Sequence, residues 1–374
     1  MVGIRPGAKF PDLAPQTRLM TLRDFLKLTA PAKGAVRAQL VSRREQTARN
    51  GKPFLRVELA DETDRVGLNL FSGSPAYSYF TSAEPRECLE LTGFFGPSEY
   101  GPNVDGPSAR KLQPAEEEEF FLGGKERRAQ LEKYGEECRA VAQGMKDPRL
   151  RWICTRAFEK YQEKWKRAAA ARRNHHARRG GLLDHTAQML RVARALAPLY
   201  PEVDGDLLCA GVILHDIGKL WENDTGEKGF GSVPSRRGEM LGHISLGIEV
   251  ANTLWREGEA AEGKSWEDLK PPAEELRDHL LHLIAAHHGT KEFGSPVAPR
   301  TPEAFLLHHI DNIDAKMEML RLSYARGKEE GSGLLEAHRP LDGPLPWPIS
   351  GRVFEPGKFS QINPDSQSMD EKTN

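Results

Sequence analysis

The chain of 374 residues is long enough for two domains, and its 38% apolar and 29% charged residues are typical of a globular protein with a sizeable core. Its 53 basic and 54 acidic residues leave a net charge of −1, so any affinity for nucleic acid has to come from local patches. No apolar run approaches the ~20 residues of a membrane span. The four cysteines show no CxxC spacing, and the N-terminus lacks an apolar signal region, so we expect a cytoplasmic protein with no membrane partner.

The first part of the chain predicts a β-rich domain. Residues 1–33 are rich in proline and are expected to form a lead-in with one short helix near "LRDFLKL". Residues 34–115 alternate apolar and polar positions, which predicts five strands: "AVRAQLVSR", "PFLRVELA", "RVGLNLF", "ECLELTGFF" and "ARKLQ". Five short strands favour a small Greek-key barrel of the OB type, with a generic sandwich as the alternative.

The second part of the chain predicts an all-α domain. After the acidic boundary "PAEEEEFF", residues 125–326 carry apolar side chains at helical spacing. Within it, 256–278 is polar with two prolines and is expected to form a solvated connection between helices. Residues 327–374 form a tail rich in Gly and Pro whose end is expected to be disordered. The predicted fold class is therefore multi-domain, an all-β OB-type barrel followed by an all-α domain.

Histidine is the most informative residue type, because eleven of the twelve histidines lie between 175 and 309, in the predicted helical domain. Several lie on apolar helix faces, where an imidazole is unusual without a partner and an unpaired carboxylate is costly. Five predicted helices each offer such a group, which is how a helical bundle builds a metal site. For any single histidine, a hydrogen-bonded core or surface residue is the alternative. The candidate ligands are His185, His215, Asp216, His243, His287, His288 and Asp311.

These ligands are more than one ion needs. One metal could be held by His185, His215, Asp216 and Asp311, and the remaining histidines could hold a second ion with Asp216 as a bridge. Imidazole with carboxylate favours Mn, Fe, Ni, Co or Zn over Mg or Ca. Two ions ~3.5–4 Å apart suit phosphoester hydrolysis. Lys219 lies nearly one helical turn beyond Asp216 and could reach the same phosphate, so both are catalytic candidates; an exposed lysine at a helix end is the alternative.

Four motifs, "RNHHARRGGLLDHT", "GVILHDIGK", "GHISLG" and "HHGTKEFGSPVAPRTPEAFLLHHIDNIDAKM", resemble the HD superfamily of metal-dependent phosphohydrolases. They are more similar still to the YhaM-type 3′–5′ exoribonucleases, which place an OB-fold before an HD domain. The resemblance covers approximately residues 30–325. It implies a manganese-dependent exonuclease that trims single-stranded RNA from the 3′ end, with single-stranded DNA as an alternative substrate.

The resemblance also assigns residues by motif position. It places the seven candidate ligands on the metals and leaves open which of His287 and His288 binds directly. Asp314 recurs in the family motif, where it could serve only to support Asp311. The adjacent Asn174, His175 and His176 fit the family pattern as substrate-facing or structural residues.

Nucleic-acid contacts are expected on the barrel. Strict alternation in "PFLRVELA" and "RVGLNLF" places Phe54, Arg56 and Phe71 on the outer face of the second and third strands. These strands form the usual binding face of an OB barrel, where aromatic rings stack on bases. The alternative is that both phenylalanines pack against the helical domain.

A basic run, "KWKRAAAARRNHHARRGG", precedes His185 and offers a track for the phosphates of a single strand. A solvated helix face is the alternative. The arginines that we expect to contact nucleic acid here are Arg172, Arg173, Arg178 and Arg179.

The ligand cluster and the resemblance together predict an enzyme, a metal-dependent exonuclease that releases nucleoside monophosphates from single-stranded RNA through a metal-activated hydroxide. The 3′–5′ direction is implied by the resemblance alone. The expected cofactor is Mn²⁺, with two ions per chain. One alternative hydrolyses free or cyclic nucleotides, although such an enzyme does not need the barrel. Another is a non-enzymatic nucleic-acid-binding protein with a structural metal site, although such a site is usually a closed set of four ligands. The sequence leaves a homo-oligomer open.

Overall fold

The computed structural model describes residues 18–48, 51–61, 63–98, 101–123, 125–171, 179–224, 233–326, 329–331, 333–337 and 341–348. The chain divides into two compact units between Phe120 and Phe121, and each unit has its own hydrophobic core. The first is built mainly from strands and the second mainly from helices, which confirms the predicted fold class. The domain limits 34–115 and 125–326 stay predictions.

The first unit contains a single antiparallel sheet around one core. Its elements are β1 (Leu19–Met20), α1 (Leu22–Leu26), β2 (Ala32–Thr47), β3 (Pro53–Ala60), β4 (Arg65–Phe71), α2 (Pro75–Ser82), β5 (Cys88–Ser98) and β6 (Gly101–Lys111). The strand order is β4-β3-β2-β5-β6, with β1 added in parallel beside β2. The end strands β4 and β6 lie close together, and α2 joins β4 to β5. This arrangement is the Greek-key topology of an OB-type barrel rather than of a two-sheet sandwich.

Alternation determines which side chains fill the barrel. On β3, Leu55, Val57 and Leu59 are buried, and on β4 so are Val66, Leu68 and Leu70. Because successive side chains of a strand point to opposite faces, the residues between them lie on the outer face. The structure therefore confirms which residues of β3 and β4 were predicted to face inward and which to face outward.

The short helix predicted in "LRDFLKL" is α1, and it packs into the barrel core. A capping box starts it, since the Thr21 hydroxyl accepts the Asp24 backbone N–H and the Asp24 carboxylate accepts that of Thr21. Leu22 and Phe25 are buried, and the Phe25 ring meets the Phe95 ring edge-on with centroids 5.0 Å apart. The described end of the lead-in thus belongs to the core of the first unit.

The second unit is helical apart from a few strands of two or three residues. Its helices, from the one that crosses the boundary between the units, are α3 (Pro114–Leu122), α4 (Lys125–Gln143), α5 (Pro148–Trp165), α6 (Gly181–Leu196), α7 (Gly205–Leu214), α8 (Lys219–Glu222), α9 (Arg236–Trp266), α10 (Ala273–Ala286) and α11 (Pro302–Arg326). Its short strands are β7 (Asn223–Asp224), β8 (Val233–Pro234), β9 (Glu329–Gly331), β10 (Leu334–Leu335) and β11 (Leu345–Pro346). Among the described helices, none has both the length and the apolar content needed to cross a membrane.

The polar stretch 256–278 is mostly helical, so the expectation of a long connection there is wrong. Helix α9 continues to Trp266, and only residues 267–272 separate it from α10. Trp266 is buried, with its ring centroid 5.8 Å from that of Trp255 and 6.4 Å from that of Trp152. Because each aromatic side chain buries a large area, Trp266 can pack the end of α9 against the core although the surrounding residues are polar.

All four cysteines, Cys88, Cys138, Cys154 and Cys209, are buried and form no disulfide. Burial raises the pKa of Cys138 to about 12 and that of Cys209 to about 11. Because the thiolate is the reactive form of cysteine, the raised pKa values disfavour reaction of Cys138 and Cys209 at neutral pH.

We predict that Phe25→Ala lowers the free energy of unfolding of the first unit by ~3–5 kcal/mol, because it leaves a cavity beside Phe95. Urea denaturation of the full chain measures the change. Leu26→Ala is the matched control, since Leu26 lies on the same helix and is exposed. Equal effects of the two variants would show that α1 is not part of the core.

Candidate metal centre and nucleic-acid face

The structure brings the seven candidate ligands together from five parts of the second unit. They are His185 on α6, His215 and Asp216 in the turn after α7, His243 on α9, His287 and His288 at the end of α10, and Asp311 on α11. Neighbouring side chains lie within 4 Å of one another. Residues separated by more than a hundred positions along the chain therefore form one cluster.

The turn that carries His215 and Asp216 lies directly on the backbone of α9. A Cβ atom at Gly218 would fall 1.9 Å from the carbonyl oxygen of His243 and 2.6 Å from the amide nitrogen of Gly247. Only glycine permits so close an approach of two backbones. Gly218 therefore determines how near the Asp216 turn lies to His243.

Two further glycines position ligands through positive φ angles. Gly242 has φ +67° and bends α9 immediately before His243. Gly289 has φ +81° and ends the helical segment immediately after His288, which the sequence predicts from its C-cap position.

The ligand atoms form two groups. We call His185, His215 and Asp311 the first group, and His243, His287 and His288 the second group. Within each group the three ligand atoms all lie within 4.8 Å of one another.

Asp216 lies between the two groups and directs one carboxylate oxygen to each. Its Oδ2 is 3.3 Å from Nε2 of His215 and 3.9 Å from Nε2 of His185, both in the first group. Its Oδ1 is 3.6 Å from Nε2 of His243 and 3.7 Å from Nε2 of His287, both in the second group. A carboxylate in this position can bridge two cations.

The histidine rings are oriented through Nδ1, which leaves Nε2 directed to the centre. For three of them the acceptor is a backbone carbonyl: Nδ1 of His215, His287 and His288 lies 2.8, 2.7 and 2.7 Å from the oxygens of Val212, Ile284 and Phe293. A carbonyl accepts only from a protonated Nδ1, so Nε2 carries the lone pair in the neutral ring. This is the tautomer that a metal ligand needs.

The other two rings bind carboxylates. Nδ1 of His185 is 2.7 Å from Oδ2 of Asp314, and Nδ1 of His243 is 3.1 Å from Oε1 of Glu222. Asp314 thus orients His185, which the sequence does not predict, and its support of Asp311 stays a prediction. Sequence reasoning missed Glu222, since an acidic residue 21 positions before a histidine gives no signal of contact.

The pKa values of the ring nitrogens follow their surroundings. Burial lowers the pKa of His287, and the neighbouring His215 and His288 lower it further, so its imidazole is neutral and able to bind a cation. Burial also lowers the pKa of His185, but hydrogen bonds to Asp311 and Asp314 outweigh it and raise that pKa to about 10. Nε2 of His185 and Oδ1 of Asp311 lie 3.3 Å apart, and both atoms could instead serve as ligands of a metal ion.

Buried polar atoms at the centre fit a cation. Among the described residues, His215 Nε2, His287 Nε2 and Asp216 Oδ1 have no hydrogen-bond partner although they are buried. Such atoms are rare in folded proteins, because each loses its hydration. Divalent cations held by the two groups would satisfy all three atoms, and imidazole with carboxylate is a donor set that first-row metals accept.

Lys219 is held at the same centre. Its Nζ donates to Oδ2 of Asp216 at 2.6 Å, and its side chain is only 11% exposed. Burial by itself would raise the pKa of Asp216, but the Lys219 ammonium and His215 hold it well below its ordinary value. Lys219 is therefore not a solvated lysine at a helix end.

The barrel presents the predicted aromatic pair on one face. Phe54 lies opposite Phe71 in the β3–β4 register, with ring centroids 5.7 Å apart, and the Phe71 side chain is exposed. The exposed Arg56 donates to Oδ1 of Asn69 at 2.9 Å and lies over Gly67, where a Cβ would come within 2.5 Å of the guanidinium. Contact of this face with nucleic acid stays a prediction.

Most of the predicted basic track falls outside the described residues, namely Arg172, Arg173 and Arg178, as do Asn174, His175 and His176. Arg179 is described and is half-buried, with its guanidinium 5.4 Å from the ring centroid of Phe121. Burial, together with the nearby Arg167, lowers the pKa of Arg179 to about 10.

Comparison with known proteins defines the class of the second unit and then the family of the chain. The HD domain family model matches residues 182–316, the segment that contains all seven candidate ligands. The 3′-5′ exoribonuclease YhaM of Bacillus velezensis is 34% identical over 285 residues, which cover 75% of this chain and 84% of the relative. The protein of the same name from Oceanobacillus iheyensis is 35% identical over 282 residues, which cover 73% and 81%. The chain belongs to the YhaM 3′–5′ exoribonuclease family.

A solved structure is also similar to part of this chain. The second OB-fold domain of replication protein A from Methanococcus maripaludis is 17% identical and is covered over its whole length, against 25% of this chain, with a TM-score of 0.19. So low a score carries no weight, and the OB-type assignment depends on the strand order and the position of α2.

We predict that Gly218→Ala separates the Asp216 turn from α9 and reduces the metal bound per chain. Its Cβ cannot be accommodated without backbone movement, so we also expect a loss of stability of ~1–3 kcal/mol. Elemental analysis after metal loading and thermal denaturation measure the two effects. Gly263→Ala, also in the second unit, is the control, because a Cβ there meets nothing within 4 Å. A variant at Gly218 that keeps its full metal content would contradict this account of the turn.

Proposed function

We propose that this chain is a metal-dependent 3′–5′ exonuclease that shortens single-stranded RNA and releases nucleoside monophosphates. The observation that carries the proposal is the position of Asp216, whose two oxygens face two separate groups of ligand atoms. The family membership of the chain supports the direction of digestion and the choice of RNA. The four buried, reduced cysteines support a cytoplasmic location.

We assign one ion to the first group and one to the second, with Asp216 shared between them. Manganese is the cation we propose, because a mixture of imidazole and carboxylate donors lies within its range. When bound, a pair of such ions supplies Lewis-acid stabilisation of phosphate charge and makes water more acidic.

Lys219 gives the centre a fixed positive charge. Its ammonium lies 2.6 Å from Oδ2 of Asp216, at the edge of the region that the ligand atoms surround. We propose that it keeps the carboxylate oriented and offers a hydrogen bond to the phosphate of the terminal nucleotide. An ammonium is a compact charge with three donors, so it can make both contacts at once.

The barrel has a separate role, which is to hold the strand. We propose that bases stack on the Phe54–Phe71 pair while Arg56 lies near the phosphate backbone. Stacking tolerates any base, and phosphate contacts do not read sequence, so binding of this kind suits a nuclease that degrades many RNAs. The predicted basic track, Arg172, Arg173, Arg178 and Arg179, would add phosphate contacts.

Digestion of a 5′-labelled single-stranded RNA by the Mn²⁺-loaded chain tests the proposed activity. We expect a ladder that shortens from the 3′ end and a loss of more than ~100-fold in Asp216→Asn, since even outer partners of metal ligands contribute ~10–100-fold. A matched DNA, free nucleotides and cyclic dinucleotides are run beside it. Intact RNA with hydrolysed nucleotides would favour the small-molecule alternative, and retained but uncleaved RNA would favour a binding protein.

We predict that Phe54→Ala with Phe71→Ala weakens oligonucleotide binding and leaves the metal content unchanged. Loss of stacking is worth ~1–3 kcal/mol per base, or roughly 5- to 150-fold in the dissociation constant. Fluorescence anisotropy with a labelled RNA measures it. Phe94→Ala, an exposed phenylalanine on β5, is the control. Unchanged affinity in the double variant would exclude the stacking role.

A further inference from the structure

We infer that Phe293, together with Met240 and Leu241, forms the surface that binds the base of the 3′-terminal nucleotide beside the metal centre. We call these three residues the apolar rim. The inference rests on the proposed function, because it concerns the strand that the centre would cleave. It goes further by naming the side chains that hold the reacting nucleotide through its base rather than through its phosphate.

The metal centre is open to solvent at three of its seven candidate ligands. His243, His288 and Asp311 are partly exposed, whereas the other four ligands are buried. A phosphodiester reaches the buried ligand atoms past these three side chains. The nucleotide that carries this phosphodiester therefore lies against the residues that surround the exposed ligands.

The apolar rim lies beside two of the exposed ligands. Nε2 of His243 and Nε2 of His288 are 3.3 Å apart. Met240 and Leu241 precede His243 by three and two residues, so their Cα atoms lie within ~11 Å of its own. Phe293 is attached to the other histidine of the pair, because its carbonyl oxygen accepts Nδ1 of His288 at 2.7 Å. All three rim residues are therefore neighbours of the opening.

The side chains of the apolar rim are unusually exposed for their chemistry. Met240 is 69%, Phe293 68% and Leu241 46% exposed. A single apolar side chain on a surface is ordinary, but several together mark a place where another molecule binds. Contact with an apolar partner would remove this surface from water, which is favourable.

The exposure of Phe293 is fixed by the backbone around it. Phe293 ends the 3₁₀ turn Lys291–Phe293, which Gly294 closes with φ +88°. The next residue, Ser295, is buried, and its hydroxyl donates to the carbonyl oxygen of Ala285 at 3.0 Å. These contacts hold the turn against α10 before any ligand arrives. A preorganised surface loses little conformational freedom on binding.

A nucleobase is the occupant that fits this position. It is flat and apolar on both faces, so it can stack on a phenyl ring and pack against aliphatic side chains. The rim residues carry no charge, so the phosphate of the same nucleotide has to bind elsewhere, at the ligand groups and Lys219. Stacking on an aromatic ring tolerates any base. The rim therefore suits an exonuclease that removes successive nucleotides of any sequence.

Kinetics of the Mn²⁺-loaded full chain on single-stranded RNA test the inference. Phe293→Ala should lower kcat/KM by ~5- to 150-fold, the contribution of one stacked base, and should leave the metal bound per chain unchanged. Phe293→Trp should keep most of the activity, because it retains an aromatic face. Phe305→Ala is the matched control, since Phe305 is an exposed phenylalanine on α11.

A second substrate shows whether the effect passes through the base. This substrate is the same RNA with an abasic ribose at its 3′ end. The wild-type chain should remove the abasic residue as slowly as Phe293→Ala removes an ordinary nucleotide, and Phe293→Ala should lose nothing further on it. An equal loss on ordinary and abasic ends would overturn the inference, because the ring would then act on the metal ligands rather than on the base.

Photocrosslinking tests the same contact without cleavage. An RNA that carries 5-iodouracil as its 3′-terminal base is bound to Asp216→Asn and irradiated. We expect a crosslink to the peptide that contains Phe293, identified by mass spectrometry, and its loss when Phe293→Ala is added. The same base at an internal position of the RNA is the control and should not crosslink there.

The possible failures are distinguishable. Unchanged kcat/KM in Phe293→Ala, or a terminal crosslink to another peptide, would overturn the inference and leave the proposed function standing. A crosslink at Phe293 without digestion by the wild-type chain would leave the inference standing and overturn the proposed activity. Absence of both digestion and crosslink would overturn both. A change of oligomeric state in Phe293→Ala, measured by light scattering, would assign the rim to contact between copies of the chain and overturn the inference.

Discussion

The centre depends on one buried carboxylate that stays ionised. Asp216 is almost fully buried, a position in which an unpaired charge would be costly, and it is stabilised by the Lys219 ammonium and by the histidine rings around it. Its two oxygens have separate directions, one to each ligand group, and only this orientation of the carboxylate lets it serve both groups at once. The Asp216 turn therefore has to be held by backbone contacts rather than by its own flexible side chain, and the contact of Gly218 with α9 provides this.

The same constraint explains why the ligands come from so many elements. A helix end or a sharp bend can direct a side chain inward without burying an unsatisfied backbone, because capping and positive φ angles satisfy the chain locally. His215 follows the end of α7, His243 follows the bend at Gly242, and His287 and His288 precede Gly289. The surrounding apolar core then fixes these ends relative to one another. The site thus combines ligands at helix ends and bends with two ligands inside helices, His185 on α6 and Asp311 on α11, and the packing of the whole unit brings them together.

Much of this could be predicted from the sequence, because strong periodic or compositional signals carry it. Alternation identifies the inward residues of β3 and β4, and histidines on apolar faces identify the cluster. Other features depend on tertiary contacts that leave no local pattern. Glu222 is recognisable only once α9 brings His243 to it, and Asp314 contacts His185, which lies 129 positions away along the chain. The polar composition of the end of α9 hides its helical state, which packing of Trp266 decides.

The buried cysteines have a practical consequence for work on this protein. All four native thiols are shielded, and burial holds the pKa of at least two of them far above neutrality. A thiol-reactive fluorophore or spin label would therefore modify an introduced surface cysteine selectively in the native background. A pair of such labels, one on the strand-rich unit and one on the helical unit, would report the distance between the units while RNA is bound and shortened.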